Sequence, residues 1–412
     1  MDETLRDGLQ SPSVCHPPIE QKLQILHLID ALGIDTANVG LPGTSPQVAR
    51  DAERLAREIA DCRLQVEAHC SARTLLTDIK PIVEISQRAG IPVECFTFIG
   101  SSPIRRYIED WTLDGLERQT EEAVSFAVRE GLPVTQVIED TTRTDPETLR
   151  GLYRVAIDAG ASRLCITDTV GHATPAGAAA VVHFVADVAK ECGAEVGIDW
   201  HGHRDRGMAV INAISALEAG ATRLHGTALG IGERVGNTPM DLLLVNLVLM
   251  GYLERDLTRL HEYCALVSRA CGIPIPPNYP VVGEGAFRTA TGTHAAAVIK
   301  ALKKKDRALA EAVYSSVPAR LVGRKQEIQV GPMSGRSNVV FWLEQHQLPV
   351  SDSLVDRILA RAKESSHILR DQEITEIAYE AEQSGPVSEA KKLGPESDNR
   401  LDRGLPFSTT SP

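Results

Sequence analysis

Short apolar runs and longer amphipathic runs alternate along about the first 250 residues of the chain. In the first long run, Ile25, Leu28, Ile29 and Leu32 recur at the spacing of a helix with one buried face. The short β-branched runs between such helices predict strands. These strands are expected at residues 35–41, 64–69, 92–99, 133–139, 162–167, 195–201 and 222–227.

A glycine follows the end of several predicted helices. Gly33, Gly90, Gly160 and Gly220 each stand just before the next strand, where a left-handed residue ends a helix at little cost. Strict alternation of strand and helix predicts an α/β fold with a parallel sheet. With residues 1–5 counted as a stub of the first strand, eight units fit before about residue 253, which predicts a closed (β/α)8 TIM barrel. The alternative is an open doubly wound sheet, but no nucleotide-binding loop follows an early strand.

The pattern changes after the predicted barrel, which we place at residues 1–273. Residues 273–280 are rich in proline and predict a linker, and residues 274–383 predict a small helical appendage with helices near 295–312 and 353–382. Residues 384–412 are polar, lack periodicity and predict a disordered tail. Because the first strand is short, we expect the natural chain to begin upstream of Met1.

Composition narrows the class of protein. Hydrophobic residues make up 43% and charged residues 24% of the chain, as in globular proteins with a sizeable core. The net charge of −12 disfavours nucleic acid and anionic membrane surfaces as partners. The chain has eight cysteines without a CxxC pair, no signal peptide and no membrane-spanning apolar run, so we expect a cytoplasmic protein.

Two histidines at the end of one predicted strand suggest a metal site. His201 and His203 are spaced so that both imidazoles face the same side of a strand, at the catalytic mouth of a barrel. Asp7 follows the first strand, which neighbours the last two strands in a closed barrel, and completes a common set of divalent-metal ligands. Asn237 can approach between them. The alternative is that the histidines only cap a strand end.

Other polar groups end neighbouring strands. Arg6 beside the predicted metal suits stabilisation of a developing oxyanion, although an arginine paired with an acid is the simpler interpretation. Glu139 can act as an acid or base, and the threonines around Asp168 can bind a carboxylate. The glycine-rich loop 226–237 can offer backbone N–H groups to an anion, but its spacing matches neither a dinucleotide nor a phosphate-binding motif.

Several motifs occur together in a recognisable order. They are TLRDG at residues 4–8 followed by Gln10, TDTVG at 167–171, HGH at 201–203, GERVGN at 232–237, GTH at 292–294 and GPMSGR at 331–336. With them the chain, over roughly residues 1–345, resembles the DRE-type barrel metallolyase superfamily. Within that superfamily it is most similar to the Claisen-condensing acyltransferases, the 2-isopropylmalate, homocitrate and citramalate synthases.

This resemblance implies an acyltransferase that condenses acetyl-CoA with a 2-oxo acid, in the manner of a 2-isopropylmalate synthase of leucine biosynthesis. It implies a divalent cation (Mn2+, Mg2+ or Zn2+) and a homodimer in which the appendage of one subunit covers the barrel of the other. The implied metal ligands are Asp7, His201, His203 and Asn237. The implied catalytic residues are Arg6, Glu139, His294 and Tyr314, and the implied substrate-binding residues are Arg6, Thr169, Gly232, Glu233 and Asn237.

Departures from the family pattern leave the oxo acid open. Arg204 stands where the family has asparagine, and residues 11–14 lack the usual Pro-Gly. Homocitrate and citramalate synthases are therefore alternatives, and residues 98–110 are expected to shape the pocket. A hydroxymethylglutaryl-CoA lyase would carry a catalytic cysteine in the loop 226–237, which has none. A non-catalytic metabolite-binding barrel is the last alternative. No regulatory domain is seen, so leucine feedback is not expected.

Overall fold

A computed structural model describes residues 1–383 and shows a parallel sheet of seven strands that follow one another in chain order. The strands are β1 (Thr36–Asn38), β2 (Glu67–Arg73), β3 (Val93–Gly100), β4 (Val134–Glu139), β5 (Arg163–Asp168), β6 (Gly197–Gly202) and β7 (Arg223–Leu224). Each predicted strand is present. The largest difference is at β2, which starts three residues later and ends four residues later than predicted.

Residues 1–3 close the sheet into a barrel. Asp2 bridges Ala37 of β1 on one side and Gly226, just after β7, on the other, both in parallel. The Asp2 N–H donates to the carbonyl of Thr36 and the Glu3 N–H to that of Gly226, each at 2.8 Å. The prediction of a (β/α)8 TIM barrel is therefore confirmed, and the open-sheet alternative is excluded.

The barrel strands are separated by helices, as predicted. In chain order the helices are α1 (Ile19–Ala31), α2 (Pro46–Cys62), α3 (Leu76–Ala89), α4 (Pro103–Glu109), α5 (Leu113–Arg129), α6 (Pro146–Asp158), α7 (Pro175–Glu191), α8 (Ala209–Glu218), α9 (Met240–Leu249), α10 (Leu260–Cys271), α11 (Gly292–Lys303), α12 (Arg307–Ala312), α13 (Arg336–Gln345), α14 (Asp352–Glu364) and α15 (Asp371–Gln383). Short 3-10 helices lie at Gly8–Gln10, Pro42–Thr44, Thr141–Arg143, Ala228–Gly230, Glu284–Phe287 and Ala319–Val322.

Local sequence explains where these helices begin and end. α2, α6 and α7 each start with proline behind a Ser, Asp or Thr whose side chain accepts a backbone N–H of the first turn. The predicted stop at Gly90 has φ of 69° and that at Gly160 has φ of 100°. In α1 the apolar positions Ile25, Leu28 and Ile29 are buried, as their spacing predicts.

The chain divides into two compact units, which differ from the predicted division at residue 273. The first unit comprises Met1–Arg288 and Arg307–Glu327, and the second comprises Thr289–Asp306 and the described residues from Ile328 on. The barrel unit is larger than predicted because Val282, Phe287 and Val322 are buried in its hydrophobic core.

The second unit has its own core. Trp342, Leu343 and Ile358 lie at its centre, and α11, α13, α14 and α15 belong to it. The predicted helix 295–312 is divided between α11 and α12, with Lys305 in the left-handed region at φ of 58°. Short strands β8 (Arg288–Thr289) and β9 (Glu327–Ile328) form a separate pair. The predicted disordered tail at 384–412 lies outside the described residues.

Among residues 1–383, no helix combines the length and the apolar character needed to cross a bilayer.

Candidate metal centre and active site

A cavity of about 340 Å³ opens where the barrel strands end. In barrels of this kind the carboxyl ends of the strands carry the chemistry. The residues that line the cavity are Glu3, Arg6, Asp7, Gln10, Ser71, Phe96, Phe98, Val137, Glu139, Cys165, Thr167, Thr169, His201, His203, His225, Glu233 and Arg234. The cavity thus brings together most of the side chains that the sequence singled out.

The predicted metal ligands meet in this cavity. The Asp7 Oδ2 atom lies 3.1 Å from Nε2 of His201 and 3.7 Å from Nε2 of His203, and all three side chains are buried. One donor atom from each residue lies within 4.8 Å of the other two. Asn237 donates from Nδ2 to Asp7 Oδ2 at 2.6 Å, and its buried Oδ1 has no hydrogen-bond partner.

The electrostatics of these donors suit a divalent cation. Burial alone would raise the pKa of Asp7, but Arg6 and the two histidines more than offset it, so the pKa lies well below its usual range. Burial and the neighbouring His201 lower the pKa of His203 to about 4. At neutral pH the set therefore offers a carboxylate and a neutral imidazole, and the orphaned amide oxygen of Asn237 is a further oxygen donor.

Arg6 is held in place beside the donors. Its Nε donates to Glu3 Oε2 at 2.7 Å, and a terminal nitrogen lies 3.7 Å from Asp7 Oδ1. Burial would lower the pKa of Arg6, but the two carboxylates raise it, so the guanidinium stays charged. Glu3 is fully buried and also faces Nδ2 of Asn38 at 3.4 Å. A fixed positive group therefore lines the cavity beside the metal donors.

Glu139 and Thr169 lie on the adjoining wall. Burial raises the pKa of Glu139, and the nearby Asp140 acts in the same direction. Thr169 Oγ1 accepts the backbone N–H of Asp140 at 2.8 Å. By contrast, Asp168 accepts from Thr142 and from backbone N–H groups, so its carboxylate is used to fix a loop.

The glycine-rich loop positions Asn237 and Glu233. A side chain at Gly232 would come within 2.9 Å of Asn237 Oδ1, so glycine there leaves space for the amide beside Asp7. Glu233 is exposed and lines the cavity. Arg234 lies in the left-handed region at φ of 55° and pairs with Asp205 at 2.8 Å. The structure thus gives Gly232 a spacing role, and substrate binding at Gly232 stays a prediction.

His294 and Tyr314 are not among the residues that line this cavity in the barrel unit. His294 belongs to the second unit, near the start of α11. Tyr314 belongs to the first unit but lines a different cavity, formed with Tyr279, Phe287 and Val317, because its segment packs beside residues 277–287. Of the predicted catalytic residues in the barrel unit, Glu139 lines the barrel cavity and Tyr314 does not. The catalytic roles of His294 and Tyr314 stay predictions.

Comparison with known proteins identifies the family of the barrel. A family model described as HMGL-like matches residues 1–267. The chain belongs to this family.

Homocitrate synthase AksA of Methanopyrus kandleri is 35% identical over 365 residues, covering 88% of this chain and 86% of that protein. The "Probable 2-isopropylmalate synthase" of the same organism is 35% identical over 369 residues, covering 88% and 68%. Homocitrate synthase of Pyrococcus horikoshii is 32% identical over 370 residues, covering 89% and 94%.

Solved structures agree on the fold of this HMGL-like chain. The HMG-CoA lyase of Bacillus subtilis aligns with a TM-score of 0.55 at 22% identity, covering 66% of this chain and 93% of that chain. At that identity the likeness concerns the fold alone. The predicted family is confirmed, and the chain is an enzyme of that family.

The HMGL-like barrel also contains polar neighbours of the metal donors that sequence reasoning missed. They are a buried polar layer beneath the metal donors: Glu3, Asn38, Ser71, Glu94, Asp199, Arg223 and His225. One signal was available, because Asp199 precedes His201 by two residues and so shares its face of the strand. The other members come from strands that are far apart in sequence.

Proposed function

We propose that this HMGL-like enzyme joins the acetyl group of acetyl-CoA to the carbonyl carbon of a 2-oxo acid, as a 2-isopropylmalate synthase does. The observation that carries the proposal is the meeting of Asp7, His201 and His203 with Arg6 and Glu139 in one cavity. The relatives that match most of the chain support it, since they are named homocitrate, 2-isopropylmalate and citramalate synthases. Homocitrate and citramalate are thus the alternative products.

Asp7, His201 and His203 would hold a divalent cation (Mn2+, Mg2+ or Zn2+), with Asn237 beside them. When bound, that cation would supply Lewis-acid polarisation of the oxo-acid carbonyl. Arg6 contributes a fixed positive charge where negative charge develops on oxygen. The hydroxyl of Thr169 accepts from a backbone N–H, so its own hydrogen is available to a substrate carboxylate.

Glu139 is the candidate base of the barrel cavity. Its raised pKa matches it to the removal of a proton from a weak carbon acid. The carbon–carbon bond forms between the deprotonated methyl carbon and the ketone carbon, and the ketone oxygen becomes a hydroxyl. Water then cleaves the thioester, which releases CoA and leaves a second carboxylate. The resemblance assigns His294 and Tyr314 to assist the proton transfer.

The walls of the cavity favour an apolar oxo acid. Phe96, Phe98 and Val137 line one side. A second carboxylate on the substrate would find no hydrogen-bond donor among these three side chains. This supports 2-oxoisovalerate and leucine biosynthesis over 2-oxoglutarate.

The proposal includes a homodimer and a cytoplasmic location. All eight cysteines are free, which is compatible with a reducing compartment. Light scattering on the purified protein tests the dimer directly.

The decisive experiment measures release of CoA thiol from acetyl-CoA in the presence of Mn2+ or Mg2+. Pyruvate, 2-oxoisovalerate, 2-oxoglutarate and glyoxylate are compared, with Asp7→Ala as the inactive control. Highest turnover with 2-oxoisovalerate is expected. A preference for 2-oxoglutarate would contradict the inference from the cavity wall, and cleavage of a hydroxyacyl-CoA without condensation would indicate a lyase.

A further inference from the structure

A third histidine lies directly beneath the metal donors. His225 follows β7 and is 2% exposed. Its Nδ1 lies 3.3 Å from Nδ1 of His201, and its Nε2 lies 3.0 Å from Oδ2 of Asp199. The Nε2 atom of His201 faces Asp7 on the opposite side of the ring. A continuous row therefore runs from Asp199 through His225 to the metal donors.

At the Asp199 end of this row, the direction of the hydrogen bond is fixed. Oδ1 of Asp199 accepts from Arg163 at 2.7 Å, and Oδ2 accepts from Arg223 at 2.7 Å. A carboxylate held by two arginines can only accept hydrogen bonds. The proton of the His225 ring that faces Asp199 must therefore sit on Nε2.

The position of this proton also determines the hydrogen bond between His225 and His201. Two ring nitrogens 3.3 Å apart form a hydrogen bond only if one of them carries a proton and the other does not. Nε2 of His201 faces Asp7 in the metal donor set, so a neutral His201 ring that binds a metal there carries its proton on Nδ1, and Nδ1 of His225 accepts it. His201 then donates from Nδ1 and keeps the lone pair of Nε2 free on the side of Asp7.

We propose that His225 and Asp199 are positioning residues that fix His201 in its metal-binding tautomer. The inference rests on the metal site proposed above and assigns residues outside that ligand set. Glu3 is not the partner of His225, because its Oε1 lies 3.8 Å from Nδ1, beyond hydrogen-bond distance. A separate metal on Asp199 and His225 is disfavoured because two arginines already occupy that carboxylate.

The barrel offers a matched control for His225. His69 is also fully buried inside the barrel, and both rings lie beside Phe96, with centroid distances of 5.1 Å for His69 and 5.8 Å for His225. His69 does not line the cavity and faces Glu94 instead. Replacing either ring with leucine removes a similar amount of buried imidazole, but only one replacement interrupts the row.

The test measures the Kd for Mn2+ by isothermal titration calorimetry on the chelator-stripped full-length protein. His225→Leu should weaken binding about 10- to 100-fold, the usual effect of losing a partner that orients a metal ligand. His225→Gln should recover much of the affinity, since its amide oxygen can accept from His201. His69→Leu should bind Mn2+ as the unmodified protein does. Visible spectra of the Co2+ forms report the donor set independently of activity.

The outcomes separate this inference from the proposed function. Unchanged Mn2+ affinity in His225→Leu, or an equal loss in His69→Leu, would overturn the positioning role alone. Absence of metal binding by the unmodified protein would overturn the positioning role and the metal site together. If His225→Leu does not fold, the Mn2+ affinities of His225→Gln and His69→Leu are compared instead. A tenfold weaker affinity in His225→Gln would count against the role of residue 225 as a hydrogen-bond acceptor for His201.

Discussion

Arg223 joins two buried carboxylates inside the barrel, and its removal should be costly. It donates to Glu94 at 2.9 and 3.0 Å and to Asp199 at 2.7 Å. The side chain of Asp199 is fully buried, and those of Glu94 and Arg223 are nearly so, at 10% and 11% exposed. Arg223→Met keeps the length of the side chain but removes the charge and all three of these hydrogen bonds.

The expected loss follows from this burial. Breaking one partner of a buried ion pair typically costs about 3–5 kcal/mol of unfolding free energy, because the remaining charge stays desolvated and uncompensated. Two carboxylates are affected here, although Arg163 still serves Asp199. With a urea dependence of about 3 kcal/mol per molar, the unfolding midpoint should fall by about 1–2 M.

Urea unfolding followed by far-UV circular dichroism measures this loss, with Arg163→Met as a graded control. Arg163 is more exposed, at 23%, and bonds only one of the two carboxylates, so its loss should be smaller. Adding Glu94→Gln to Arg223→Met should restore part of the stability, because the amide is neutral. A loss below about 1 kcal/mol in Arg223→Met, or no recovery in the double variant, would refute the reasoning.

Three further predictions concern the metal, the base and pH. Saturating Mn2+ should stabilise the protein by about 2.7 kcal/mol at 100 times its Kd, as measured by thermal unfolding, and Asp7→Ala should show no such gain. Glu139→Gln should lower kcat about 10²- to 10⁴-fold in the thiol-release assay while Mn2+ affinity is retained; unchanged kcat would exclude Glu139 as the base. Burial would raise the pKa of Glu94, but Arg223, His69 and Thr135 lower it overall. Its stabilising contribution is thus present above the ordinary carboxyl pKa and lost as pH falls through the lowered one, so acid should destabilise the unmodified protein more than Glu94→Gln, which urea titrations across pH can check.

Much of the fold was predictable because strands and helices of a barrel leave periodic patterns. The seven strands follow from the alternation of apolar runs, and residues 1–5 were counted as a stub of the first strand, where Asp2 bridges both edges of the sheet. The position of β2 was less exact, because Leu64 and Val66 are apolar but belong to the approach to the strand, where Asp30 accepts the backbone N–H of Val66. The division after residue 273 was not predictable, since the proline-rich segment looks like a linker until Val282 and Phe287 are seen packed in the core.

In the site, residues close together in sequence were predictable, whereas most partners that are distant in sequence were not. His201 and His203 could be paired from their spacing, and Asp7 from the order of strands in a closed barrel. The partners beneath them could not, because His225 and Glu3 are separated from His201 by 24 and 198 positions, and only the closed barrel brings them together. Tyr314 was assigned from resemblance alone; it lines a different cavity in the barrel unit, and its catalytic role stays a prediction.

The geometry of β6 explains why stability and metal binding should be linked in this barrel. Asp199 and His201 occupy alternate positions of this strand, and His203 follows directly after it, so all three point into the same interior, one above the other. Asp199, the lowest member, is buried and pairs with Arg163 and Arg223, and the two histidines above it face the cavity. A buried charge deep in the barrel therefore sets the protonation of a donor at its mouth. A substitution at Arg223 should accordingly weaken Mn2+ binding as well as folding, whereas a core substitution such as Leu152→Ala, on the outer helix α6, should affect folding alone.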